Sequence, residues 1–227
     1  MFKITFFSVS FLLLSLSTVN AATTSYSSQA DFLNDLGSAN LTTYYFDNLN
    51  SGDLISSGST INGATFTYNI PGYSIIVDDS FQTTSASNYL GTDDGSVAFY
   101  GGDSFTVAFD QTIHAAGMYL ISADTISDGD FTITTNTGQS VSNLSLADLN
   151  LLDGNAYYLG LIEDDFNLGF TSITLSSFQD NYLFNVDDIT VSAVPEPSTL
   201  WLLSIGLLGV IGMSRRKTRQ SYNAQSV

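Results

Sequence analysis

The residues of this sequence that are best suited to bind a ligand are aspartates that lie close together in the chain. Their carboxylates are the hard oxygen ligands that Ca²⁺ takes in proteins. None of them follows the spacing of an EF-hand loop. A structural calcium ion is therefore one prediction, and solvated aspartates in turns are the alternative that this composition also allows. The candidate groups are Asp78 with Asp79, Asp93 with Asp94, Asp124 with Asp128 and Asp130, Asp164 with Asp165, and Asp187 with Asp188.

The residue types give little support to hydrolytic catalysis. His114 is the only histidine, cysteine is absent and no Gly-x-Ser-x-Gly sequence occurs, so neither a Ser-His-Asp site nor a zinc site is indicated. Glycoside hydrolysis needs two facing carboxyls, one with a raised pKa. Glu163 is the only glutamate of residues 22–193. We therefore predict a protein that is not an enzyme, with a glycan-active hydrolase on the same scaffold as the alternative.

The charge of residues 22–193 excludes nucleic acid as a partner. This region contains no lysine or arginine, and it contains all 22 acidic residues of the chain except Glu196, so its formal charge is near −21. Such a field repels phosphate backbones and anionic lipids. Exposed aromatic rings could instead stack on sugars, although tyrosines in strands are more often part of a core. The candidate rings belong to Tyr73, Tyr89, Tyr100 and Tyr157.

Both ends of the chain have sequence patterns that are typical of segments which enter a membrane during export. Residues 1–21 begin with a cation at Lys3, continue with an apolar run and end in the small-residue sequence Val-Asn-Ala, which predicts a secretory signal peptide. Near the other end, an apolar run of about 14 residues (200–213) predicts a short transmembrane helix. By the positive-inside rule, the cations that follow it stay in the cytoplasm while the central region is exported. These cations are Arg215, Arg216, Lys217 and Arg219.

The C-terminal segment 194–219 has three parts in a fixed order: a Pro-Glu-Pro motif, the short apolar run and the basic cluster. The motif consists of Val194, Pro195, Glu196, Pro197, Ser198 and Thr199. This arrangement resembles the PEP-CTERM sorting signal of exported proteins in Gram-negative bacteria that make extracellular polysaccharide. The resemblance implies an exosortase as partner, a membrane transpeptidase that cuts near the motif. The tail, residues 220–227, departs from the family because it extends further beyond the basic cluster.

Residues 22–193 are predicted to form a single all-β domain. Short runs rich in Thr, Val, Ile, Phe and Tyr alternate with turn residues, which is typical of a β-sandwich or jelly roll. A short helix is expected at residues 28–36 and one helical turn at 145–152. Strands are expected at residues 43–46, 60–68, 74–77, 96–100, 104–109, 117–121, 131–135, 157–162, 172–176 and 182–192.

Parts of this domain resemble the jelly-roll ectodomains of PEP-CTERM proteins and of carbohydrate-binding modules. The matching stretches are FDNL at 46–49 with INGATF at 61–66, and YLGLI at 158–162 with FTSITL at 170–175 and VDDITV at 186–191. Because that resemblance places the first and last strands near each other, it favours Asp47 with Asp187 or Asp188 as the calcium site.

Taken together, the sequence predicts an exported protein whose precursor is anchored in the inner membrane. The mature form is expected at the cell surface or in the extracellular matrix of a Gram-negative bacterium. There it would act as a structural or glycan-binding component of exopolysaccharide.

Overall fold

The computed structural model describes residues 23–37, 40–164, 169–178 and 181–194, which form an all-β domain with one short helix. The predicted signal peptide, residues 195–199 of the motif, the apolar run and the basic cluster lie outside these residues. Within the described part of the chain, no helix is long and apolar enough to cross a membrane. The elements are β1 (Thr23–Tyr26), α1 (Gln29–Leu36), β2 (Leu41–Tyr44), β3 (Leu54–Ile55), β4 (Ser59–Ile61), β5 (Ala64–Tyr68), β6 (Ile75–Asp78), β7 (Tyr89–Thr92), β8 (Phe99–Tyr100), β9 (Ser104–Ser122), β10 (Phe131–Thr135), β11 (Ser140–Ser142), β12 (Leu149–Leu151), β13 (Gly154–Glu163), β14 (Phe170–Ser177) and β15 (Leu183–Ala193).

The long strand β9 joins the two layers of the domain. Its first part, residues 104–109, pairs antiparallel with β5 and β14. Its second part, residues 113–122, pairs antiparallel with β13 and β15. Residues 110–112 between the two parts are exposed. The chain therefore passes from one layer to the other without leaving the extended conformation.

The two layers face each other across one hydrophobic core. The first layer has the strand order β4-β5-β9-β14-β10-β11, and the second is built around β13-β9-β15, with β2 and β7 also paired to β15. Phe66, Val107 and Ile173 of the first layer belong to the same buried cluster as Met118 and Leu159 of the second. Because alternate side chains of a strand point to opposite faces, this pattern gives each layer one face in the core. The predicted β-sandwich is confirmed.

The helix α1 covers part of the outer face of the second layer. Ser28 caps its N-terminus, and the Ser28 Oγ accepts a hydrogen bond from the Asp31 N–H at 3.5 Å. Phe32 is fully buried, with its ring centroid 5.5 Å from that of Tyr158. A β-carbon at Gly160 would lie 3.0 Å from the Phe32 ring, so the glycine makes room for this contact. The predicted helix is thus present, and it buries a second, smaller apolar cluster.

Three sequence predictions of secondary structure differ from the structure. The single strand expected at 60–68 is a hairpin of β4 and β5, because Asn62 and Gly63 turn the chain with φ of 52° and 87°. The strands expected at 104–109 and 117–121 are both parts of β9. The helical turn expected at 145–152 is wrong, because Leu149–Leu151 forms β12 and pairs with β13.

Candidate functional site

A cavity of about 580 Å³ opens where four loops and strand ends meet. The loop between β6 and β7 contributes residues 80–82, and the end of β9 contributes residues 121–124. The β12–β13 turn adds Asp153, and the start of β15 adds residues 183–185. A smaller cavity of about 230 Å³ shares Asp124 and Leu183 with it. We call the two cavities together the cleft.

Two half-exposed aromatic rings lie in the cleft, one in each cavity. The Phe81 ring is 47% exposed, and its other face packs on the buried Tyr89, with centroids 6.3 Å apart and planes inclined by 27°. The Tyr100 ring is 46% exposed in the smaller cavity. Tyr100 is the cross-strand partner of Leu183, which borders both cavities. Phe81 therefore lines the larger cavity and Tyr100 the smaller one, and Leu183 borders both.

The polar groups of the cleft include carboxylates, amides and hydroxyl groups. Asp124 Oδ2 accepts a hydrogen bond from the Leu183 N–H at 3.0 Å, and Ser122 Oγ donates one to the Leu183 carbonyl at 2.7 Å. The Asp153 side chain is exposed at the edge of the larger cavity. Asn185 is only 6% exposed and lines that cavity, yet its Oδ1 has no hydrogen-bond partner among the described residues. An unpaired buried amide oxygen costs free energy, and this oxygen is closed to solvent.

A group of three aspartates lies next to the cleft along β15. Asp187 and Asp188 occupy a β-bulge, where the register with β9 shifts between Asp187 and Thr190 and where Asp188 has φ of 50°. Asp47 follows β2, and β2 pairs with β15 from Ile189 to Ser192. We call Asp47, Asp187 and Asp188 the carboxylate cluster.

The loop between β6 and β7 is tied to this cluster by hydrogen bonds. Asp187 Oδ2 accepts hydrogen bonds from the Thr83 hydroxyl, from the Thr84 hydroxyl at 3.0 Å and from the Ser85 N–H at 2.9 Å. Asp47 accepts from the N–H groups of residues 86, 87 and 88 at 3.3, 2.9 and 2.9 Å. Burial by itself would raise the pKa of Asp47, but these backbone donors outweigh burial and hold the pKa below its ordinary value. The cluster thus positions the loop that carries Phe81.

Asp188 differs from the other two carboxylates. It is 6% exposed, and its Oδ1 has no hydrogen-bond partner among the described residues. Burial raises its pKa to about 6, and the neighbouring charges of Asp187 and Asp47 act in the same direction. No lysine or arginine lies in residues 22–193 to compensate these charges.

The structure brings together the three aspartates that the sequence predicted as a calcium site. Most of their oxygens, however, already accept hydrogen bonds from other groups of the protein. Ser85 links Asp187 and Asp47, since its N–H donates to the first and its hydroxyl to the second at 3.3 Å. In the part of the chain that the structure describes, no three His, Cys, Asp or Glu side chains are arranged to hold a metal ion. Among the described residues, the buried Asp188 Oδ1 has no donor. Calcium binding at this place stays a prediction.

The other candidates from the sequence lie in different parts of the fold. His114 is 1% exposed, and burial lowers its pKa while a hydrogen bond with the Ala193 backbone opposes that change. Tyr89 and Tyr157 are buried, so they offer no ring to a ligand. Tyr100 lies in the cleft, whereas Tyr73 is exposed but does not line it. Sequence reasoning missed Phe81 and Asn185, whose position depends on contacts between distant loops.

The fold is that of a β-sandwich domain, and its cleft contains two half-exposed aromatic rings. The C-terminal part of the chain identifies its sorting signal, because the PEP-CTERM protein-sorting motif matches residues 193–217. The predicted PEP-CTERM signal is therefore confirmed, and it indicates an exported protein whose precursor is anchored at its C-terminus in a membrane. The roles of single residues within the motif are proposals.

Comparison with solved structures gives only distant likenesses. The K2 cleaved adhesin domain of Lys-gingipain is 10% identical with a TM-score of 0.44, over 67% of this chain and 99% of that one. A family 35 carbohydrate-binding module from Clostridium thermocellum is 14% identical with a TM-score of 0.37, over 67% and 98%. The family 35 module of Abf62 from Cellvibrio japonicus is 13% identical with a TM-score of 0.38, over 69% and 95%. No curated protein matches the sequence.

Proposed function

We propose that this protein is a non-catalytic glycan-binding component of an exopolysaccharide matrix, and that it binds saccharide in the cleft. The observation that carries the proposal is that two half-exposed rings line adjoining cavities, Phe81 the larger one and Tyr100 the smaller one, with Leu183 bordering both. Binding sites typically combine an apolar floor with a few placed polar groups. The cleft has both features.

The arrangement suits a sugar chain for two reasons. The C–H faces of sugar rings are apolar and can pack on the exposed rings, while their hydroxyl groups donate hydrogen bonds. Asp124 and Asp153 offer acceptor oxygens along the wall of the larger cavity, and Gln82 lines it with an exposed amide. Because the cleft has two cavities joined at Leu183, more than one sugar unit could be bound at a time.

The sorting signal fits this role by bringing the domain to the polysaccharide. An exosortase is the proposed partner, and Glu196 with its flanking prolines is its substrate. The basic cluster would keep the C-terminal tail in the cytoplasm until cleavage. The mature protein is then released to the cell surface or into the matrix.

A glycan hydrolase remains the competing candidate, because Asp124 and Asp153 line the same cavity. A general acid that works near neutral pH needs a pKa raised by burial. Both of these side chains are exposed. We therefore assign them to binding, and release of new reducing ends from a bound polysaccharide would contradict this assignment.

The test is affinity electrophoresis of the full chain, kept soluble in mild detergent, through gels that contain different soluble polysaccharides. At least one polysaccharide should retard the protein. Phe81→Ala should weaken that retardation about five- to tenfold, since one aromatic contact contributes on the order of 1 kcal/mol beyond its area. Tyr73→Ala is the matched control, because Tyr73 is also 47% exposed but lies outside the cleft. Equal retardation of both variants, or none of the wild type by any polysaccharide, would refute the proposal.

A further inference from the structure

A hydrogen bond between two side chains joins the two layers at one edge of the sandwich. The Thr23 hydroxyl on β1 donates to the Gln139 Oε1 at 2.9 Å, although 116 positions separate the two residues in the chain. Strand β1 pairs with β13 of the second layer, whereas Gln139 directly precedes β11, which pairs with β10 of the first layer. Both side chains are half-buried. A hydroxyl group and a carboxamide are therefore held in contact at a place partly closed to water.

A buried carboxyl group lies beside this pair. Glu163 is directly opposite Thr23 in the antiparallel pairing of β1 with β13. Residues opposite each other in such a pair have side chains on the same face, with Cβ atoms about 4.5 to 5.5 Å apart. Glu163 is 2% exposed, and it shares a face of β13 with Leu161 of the hydrophobic core. The nucleophile, the base and the amide carbonyl that an acyl transfer needs are thus brought together.

The backbone holds the two reacting groups in place. The turn between β10 and β11 is closed by the Thr135 N–H, which donates to the Gln139 carbonyl at 2.8 Å, and by the Gln139 N–H, which donates to the Thr135 hydroxyl at 3.1 Å. A carbonyl bond is about 1.2 Å long, so the Gln139 Cδ lies at most about 4.1 Å from the Thr23 Oγ1. Fixed proximity of this kind removes much of the entropic barrier to a reaction between two groups.

We propose that Thr23 and Gln139 form an ester bond within the folded chain, with Glu163 as the carrier of the proton. The Glu163 carboxylate takes the hydroxyl proton as the Thr23 Oγ1 attacks the Gln139 Cδ and the new O–C bond forms. The proton then passes to Nε2 as the Cδ–Nε2 bond breaks, and ammonia leaves. No other reactant is needed, and each chain reacts once.

Such a bond would join the layers of a domain that has no other means of covalent cross-linking through disulfides or lysine amides. Residues 22–193 contain neither cysteine nor lysine. The inference goes beyond the proposed glycan-binding function and does not depend on it.

The experiment is mass spectrometry of the full chain and of its peptides. A protease that cuts before aspartate releases Thr23 in a segment that ends at residue 30, and Gln139 in the segment 130–147. After days of incubation most molecules should yield the two segments joined, lighter than their sum by one ammonia, about 17 Da. Hydroxylamine at alkaline pH, which cleaves esters, should separate them. Two separate segments at their calculated masses before this treatment would overturn the inference.

Four variants assign the atoms of the reaction. Thr23→Val keeps the shape but lacks the hydroxyl and should give no joined segments, whereas Thr23→Ser should still give them. Thr24→Val is the matched control, because it removes the neighbouring hydroxyl, which donates to Asp164 at 3.2 Å, and it should react as the wild type does. Glu163→Gln should slow formation of the joined segments at least about a hundredfold. Joined segments in Thr23→Val, or an unchanged rate in Glu163→Gln, would contradict the proposed chemistry.

Discussion

Replacing Asp188 by asparagine tests the electrostatics of the carboxylate cluster most directly. Asp188 is nearly buried, and its charge faces Asp187 and Asp47 along the bulge and Tyr119 and Tyr158 across the outer face of the second layer. Asparagine keeps the size and one acceptor oxygen of the side chain but carries no charge. The variant therefore removes the repulsion with little change in shape.

The magnitude and the sign follow from the pKa. Burial and the neighbouring carboxylates raise the pKa of Asp188 from 3.8 to about 6 in the folded protein, which corresponds at most to roughly 3 kcal/mol. Solvent at the edge of the cluster screens part of this energy, so we expect about 1 to 2 kcal/mol. The pKa of Asp188 is higher in the folded than in the unfolded protein, so protonation of Asp188 stabilises the folded state. This stabilisation is fully present below about pH 4 and is lost as the pH rises through 6. Asp188→Asn should keep that stability at high pH.

The assay is urea unfolding of the full chain followed by circular dichroism at about pH 4.5 and about pH 8. The variant should exceed the wild type by about 1 to 2 kcal/mol at the higher pH and by clearly less at the lower one. Asp110→Asn, which changes an exposed carboxylate, controls for the reduced net charge. A variant that is less stable than the wild type at about pH 8, or whose advantage does not depend on pH, would refute the electrostatic reasoning.

Three further predictions concern other parts of the chain. If calcium binds the carboxylate cluster, the melting temperature should rise with added Ca²⁺ and fall with a chelator, and an unchanged value under both conditions would remove the calcium prediction. Phe32→Ala should lower the free energy of unfolding by about 3 to 5 kcal/mol in urea titrations, because the ring is fully buried between α1 and the second layer. Phe178→Ala, at a ring 65% exposed, should change it by less than about 0.5 kcal/mol. The mass of the exported protein should show a C-terminus near residues 194–199, and an intact tail on matrix-bound protein would contradict exosortase processing.

Local patterns allowed much of the fold to be predicted from the sequence. Phe105, Val107 and Phe109 are buried in the core and alternate with the half-buried Thr106 and Ala108, as period-two patterning predicts. Ser28 before a three-residue apolar spacing predicted the helix that it caps. Strand β7 was missed because all four of its residues are buried, so the alternation that marks a strand is absent there.

The candidate site was predictable only in part, because its residues come from distant segments. The resemblance to jelly-roll domains suggested that Asp47 lies near Asp187 and Asp188, and the pairing of β2 with β15 places them so. Phe81 stands in a polar loop with no periodic pattern, and its importance follows only from its packing on Tyr89. Asn185 has the sequence context of any strand residue, and only the structure shows its unpaired oxygen.

The carboxylate cluster and the cleft share two pieces of backbone, which makes the position of Phe81 depend on Asp187. The start of β15 supplies Leu183 and Asn185 to the cleft and Asp187 two residues further on. The loop that carries Phe81 continues into the hydroxyl and N–H groups that donate to Asp187. These three donors to one oxygen hold the loop in a region that has no cysteine, lysine or arginine for disulfides or ion pairs with those residues.

Asp187→Ala should therefore weaken glycan binding although Asp187 does not line the cleft. The variant leaves the donors of the loop unpaired, and each such loss costs about 1 to 3 kcal/mol when the group stays buried. The loop can avoid that cost by moving toward water, which withdraws the Phe81 ring from the ligand. In affinity electrophoresis the Asp187→Ala variant should approach the weak retardation of Phe81→Ala, and the double variant should be no weaker than Phe81→Ala alone. Additive losses would show that the cluster acts on the fold as a whole and not on the placement of this ring.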